Sequence, residues 1–140
     1  MQDLRSIIDR INTAAEQRAA ENYRFMEEQK IKKTLGPPVW EDLKRLLKEH
    51  CDQAVNSSSA RLQFASKGIN DVSLKNLADG RTASLTYNAE CPCVFFKNPS
   101  EQGQLTFRVS QDGNSVQLTH GKVPQFVDEI VFGTINSITQ

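Results

Sequence analysis

The chain has 140 residues, 38% of them hydrophobic and 24% charged, and 17 basic side chains balance 17 acidic ones for a formal net charge of zero. This composition excludes a disordered polymer and allows one real core. The lack of any basic excess argues against holding nucleic acid by phosphate neutralisation. The balance is also local: ten charges of each sign lie in residues 1–55 and seven of each in 56–140. The nearest basic group, Lys30, Lys32, Lys33, Lys44, Arg45 and Lys48, is opposed by Glu41 and Asp42 and reads as the solvated face of helices. No stretch approaches the ~20 apolar residues that span a bilayer, so no membrane association is expected. The first residues, Met1 to Arg5, lack the basic start and apolar run of an export signal. Three cysteines without such a signal predict free thiols in a reducing compartment rather than a disulfide framework, and the expected location is cytoplasmic.

The period of the hydrophobic pattern changes near Ser59, from helical spacing before it to short alternating stretches after it. That change predicts a single α+β domain over residues 1–140: two N-terminal helices, a mostly antiparallel sheet of about six strands, and a C-terminal helix packed on one sheet face.

Residues 1–35 are expected to form a long amphipathic helix, regular from Asp3 to Thr34. Leu4, Ile8, Ile11, Ala15, Ala19, Tyr23 and Met26 recur every three or four residues and fall on one stripe. Gly36-Pro37-Pro38 should stop this helix, because glycine suits a C-terminal cap and proline cannot continue the hydrogen-bond ladder. About thirty residues make ~45 Å of helix, whereas a six-stranded sheet at ~4.8 Å per strand is narrower. Part of the helix should therefore project and need a second surface, either a copy of itself in a homodimer or another protein.

Residues 39–55 predict a second helix, with Trp40, Leu43, Leu46, Leu47, His50 and Ala54 on one side. The sheet should occupy 60–121, with strands near 60–66, 71–76, 82–89 and 92–97. A fifth strand carries the alternating Leu105, Phe107 and Val109, and a sixth carries Val116, Leu118 and His120. Asp79-Gly80 and Asp112-Gly113 mark turns between strands. A last helix is expected over 123–138, starting about Pro124, with Asp128 and Glu129 at the positive end of its dipole. Phe126, Val127, Ile130, Val131, Thr134, Ile135 and Ile138 form its apolar side, and Phe132 points away from that side, where it could serve an interface.

Cys91-Pro92-Cys93 is the one arrangement with metal or redox potential. A structural zinc site needs four ligands, and only His50, Cys51 and His120, on other elements, could complete it. The pair also lacks the helix start that lowers thiol pKa in redox motifs. No glycine-rich phosphate loop occurs. No catalytic, cofactor-binding or metal-binding residue is assigned, and the reading leans away from an enzyme. The expected role is protein interaction or self-association through Leu4, Ile8, Ile11, Ala15, Ala19, Tyr23 and Met26, with Phe132 as a further contact. One alternative is a module that binds a small apolar ligand between the sheet and the last helix, near Phe64, Leu85, Tyr87, Phe96, Phe107 and Leu118. A metal-dependent or thiol enzyme is the weaker one.

Overall fold

Local helix signals and tertiary packing conflict at Gly36-Pro37-Pro38, and packing prevails. The computed structural model describes residues 3–140, so Met1 and Gln2 of the expected first helix lie outside the described residues. Helix α1 (Leu4–Ser57) runs 54 residues without interruption and contains both Pro37 and Pro38. The two helices expected at 1–35 and 39–55 are one. An interior proline costs ~3 kcal/mol or more, because it removes a ladder hydrogen bond and crowds the preceding turn. Here both prolines face solvent, as do Lys33 and Thr34, whose carbonyls they leave without a helical donor. Water can satisfy those groups. The residues that follow, Trp40, Leu43, Leu47 and Cys51, are buried in helical phase, which rewards continuing the helix. At 1.5 Å per residue α1 is about 80 Å long. Asp3 caps its start, accepting from the Arg5 backbone N–H.

Strands β1 (Leu62–Ser66), β2 (Asp71–Asn76), β3 (Thr82–Asn88), β4 (Cys93–Lys97), β5 (Gln102–Val109), β6 (Val116–His120) and β7 (Val123–Gln125) form one antiparallel sheet in chain order. There are seven strands where about six were expected. The additional one arises because Gly121, at φ +62°, lets the chain double back after His120, so that Val123 pairs with His120 and Pro124 with Thr119. An edge strand tolerates Pro124, which has no N–H to offer the ladder. Helix α2 (Val127–Thr139) consequently starts three residues later than Pro124.

The alternation is faithful to the sequence. Val72 pairs with Leu85, Leu85 with Phe96, Tyr87 with Val94, Val94 with Leu105, and Phe107 with Leu118, all on one face. Gln63, Ser73, Ser84, Thr86, Gln104 and Arg108 take the other. Both helices cover the apolar face: α1 against β1, β5 and β6, α2 against β2 and β3, and the two against each other. Two ties hold α2 in place. Asn76 Nδ2 donates to the Ile138 carbonyl at 2.7 Å, and Arg81 Nη1 donates to the carbonyl of Gln140.

Gly36 is where α1 meets the sheet. A Cβ there would lie 3.1 Å from Tyr87 Oη and 3.2 Å from Phe107 Cε2. Those rings are themselves wedged, Tyr87 stacked on Trp40 at 5.8 Å and edge-on to Phe107 at 6.4 Å, so they have little room to yield. Gly133 in α2 has nothing within 4 Å of such a Cβ. Replacing a helical glycine by alanine gains up to ~1 kcal/mol of propensity, while overpacking costs ~1–3 kcal/mol. Urea unfolding should therefore show Gly36→Ala less stable than the parent by about 1 kcal/mol and Gly133→Ala more stable by roughly 0.5–1 kcal/mol.

Candidate interaction surface

No residue of α1 before Gly36 is buried. From Leu4 to Met26 every side chain is exposed except the half-buried Ala14. At 1.5 Å per residue this is about 35 Å of helix that leaves the base without packing on it. Of the stripe residues, Leu4 is 68% exposed, Ile11 62%, Tyr23 68% and Met26 59%, with Ile8, Ala15 and Ala19 exposed between them. The stripe therefore faces solvent along its whole length. Two further apolar side chains flank it, Ile7 and Phe25, the latter 61% exposed. Sequence reading passed over them by following Leu4 with Ile8 and Tyr23 with Met26, although Ile7 also lies three residues from Leu4 and four from Ile11. Their signal is that they lie a whole number of turns apart, so they share one edge of the stripe.

Phe132 is half exposed and meets His50 edge to face at 5.2 Å. It sits where α2 crosses the distal part of α1. His50 follows Met26 by more than twenty residues, over ~30 Å of helix. The structure does not bring Phe132 together with the stripe.

A cleft of about 140 Å³ opens between α2 and the sheet, lined by Leu85, Phe96, Lys97, His120, Glu129 and Gly133 among others. Its place is the one where the sequence suggested a pocket. Sites for drug-sized ligands are usually ~300–1,000 Å³. Of the six residues named for that pocket, only Leu85 and Phe96 line it. Tyr87, Phe107 and Leu118 are buried in the core and Phe64 packs against them. Phe96 closes one side of the cleft, lying over its cross-strand partner Gly103 and edge-on to His120 at 5.5 Å.

The sulfurs of Cys91 and Cys93 are joined in a disulfide, where free thiols were expected. The reason is geometric: Cys91 lies in the turn that enters β4 and Cys93 is the first residue of that strand, and their Cα atoms are 5.3 Å apart, inside the range a disulfide bridges. Gln104 Nε2 donates to Cys91 Sγ at 3.1 Å. Cys51 is free and buried in α1. His50 lies against Phe132 and His120 against Phe96, so the five side chains considered for zinc are dispersed. Among the described residues, no three of His, Cys, Asp or Glu gather as a metal site, and no helix is long and apolar enough to cross a membrane. Comparison with family models, characterised proteins and solved structures finds no match to this chain.

Two buried groups hold their protons more tightly than usual. Burial pushes the Cys51 thiol above its ordinary value of 9.0, helped by the negative charge of Asp52. Burial likewise raises the Tyr87 phenol above 10.0, and its hydroxyl has no hydrogen-bond partner. The unfolded chain releases these protons first, so above about pH 9 it binds fewer protons than the folded one and stability falls as pH rises. Below that value the two groups contribute no pH dependence. Urea midpoints between pH 8 and 10.5 should decline in the parent and decline less in Tyr87→Phe. At pH 7 the same variant should match or exceed the parent, because it removes an unpaired buried hydroxyl. A clear loss there would show that the hydroxyl has a partner.

Proposed function

We propose that this chain is a non-catalytic recognition module that presents the N-terminal half of α1 to another polypeptide. The observation that carries the reading is the solvent exposure of Leu4, Ile8, Ile11, Tyr23 and Met26 on a helix segment that does not touch its own base. An isolated helix of this length is only marginally stable in water, and most helical stability in proteins comes from packing an apolar face. Here that face has no intrachain partner. Large exposed apolar patches of this kind mark interaction sites, and a helix laid against a complementary surface is one of the recurring recognition modes. The base has its own filled core and serves to hold the helix. The cleft beside α2, at about 140 Å³, is smaller than most ligand sites, and Lys97, Glu101, His120 and Glu129 are among its lining residues.

The test is whether the stripe contributes to the fold. In Ile8→Asp combined with Ile11→Asp, both proteins being melted at a dilution where the parent gives a monomer mass so that lost association cannot lower the midpoint, the thermal midpoint of the base should stay within about 2 °C of the parent, less than a 1 kcal/mol change would produce in a chain of this size. A fall of more than about 5 °C would place the stripe in the chain's own core and would end the reading.

A further inference from the structure

We infer that the occupant of the stripe is a second copy of this chain, laid antiparallel with its two-fold axis at Ala15. The inference rests on the reading of α1 as an association surface and adds the partner, the direction and the register. It starts from the order of side-chain sizes. Read outward from Ala15, the stripe is nearly palindromic: Ala15 faces itself, Ile11 comes opposite Ala19, Ile8 within one residue of Tyr23 and Leu4 opposite Met26. Large meets small next to the axis, which is how facing helices interdigitate, and large meets large toward the ends. Leu4, Ala15 and Met26 recur every eleven residues, a period close to that of a straight helix. The stripe thus stays on one side for the whole exposed length.

The size order sets the direction, because a parallel pair would stack Ile11 on Ile11 and Ala19 on Ala19 instead of large on small. In an antiparallel pair related by a two-fold axis, the same edge of both stripes meets; in a parallel pair, opposite edges meet. Ile7 and Phe25 lie on one edge, so only the antiparallel pair brings Ile7 of one copy near Phe25 of the other. A parallel pair would set Ile7 beside Arg5, although it would also set Phe25 beside Tyr23. The exposed segment ends at Met26, Glu27 to Gln29 are half-buried, and Ile31 lies against the turn bearing Gly113. The second copy's Leu4 therefore stops short of the base.

Single-cysteine variants of the full chain distinguish the arrangements. The native cysteines do not interfere, because Cys51 is buried and Cys91 is paired with Cys93. With oxidised glutathione as oxidant, Ala15→Cys should link to itself, and a mixture of Leu4→Cys with Met26→Cys should give the mixed dimer. Leu4→Cys alone should give none. Self-linking of Leu4→Cys would show a parallel pair and overturn the inference, while leaving the association surface standing. A monomeric native mass for the parent at tens of micromolar, with no linking of any variant, would overturn the second copy as occupant. Neither outcome repeats the melting test of the recognition reading, which fails only if the base loses stability. Ile11→Asp in the Ala15→Cys background should abolish the self-link.

Discussion

The whole arrangement hangs on the contact between Gly36 and the pair of rings beneath it, Tyr87 and Phe107. A helix carrying two consecutive prolines continues because its neighbours on the sheet side are worth more than the bonds lost on the water side. Four residues on, Trp40 stacks on Tyr87, and its indole N–H donates to the Ile69 carbonyl at 2.8 Å. Lys44 reaches the same carbonyl at 2.8 Å. The helix is thus fixed to two distant parts of the sheet within little more than two turns. With both angles of entry set there, the direction in which the free half leaves the base is set as well.

This separates two tasks along one element. From Gly36 onward, α1 is a core helix, and its apolar residues are consumed by β1, β5, β6 and α2. From Leu4 to Met26 its large apolar residues are uncommitted. The base supplies rigidity, and the free half supplies the surface. Charge is mixed on both parts, so under the proposed reading a partner would be selected by shape and by the order of side chains rather than by a long-range field.

The period change near Ser59, the clean alternation in β5 and β6 and the Asp112-Gly113 turn were all legible, because each follows from short-range backbone preference. Gly113 indeed takes φ +72° there. The break at Gly36-Pro37-Pro38 was misread for a physical reason: the local penalty is visible in sequence, and the ring seat that outweighs it is assembled from residues some fifty and seventy positions away. β7 was missed because three residues with a proline carry no strand signal of their own, only a pairing made possible by Gly121. For the surface, the seven stripe positions were readable from spacing. Ile7 and Phe25 were not, because an edge position matters only once the direction of a neighbour is considered. The Cys91–Cys93 link was hidden by a compartment argument, whereas the turn into β4 brings the two residues within bridging distance.

The seven strands pair strictly with their sequence neighbours, so the sheet needs no distant loop closure to form and can zip from one hairpin to the next. The helix differs, because its seat on Tyr87 and Phe107 cannot exist until the middle of the sheet has been made. During synthesis from the N-terminus, the apolar stripe therefore emerges well before the base that will hold it. In that interval the stripe is exposed together with the still unseated Trp40, Leu43 and Leu47, and neighbouring chains on the same message carry the same stripe. Assembly during translation would shelter it at the moment it is most exposed to misassociation.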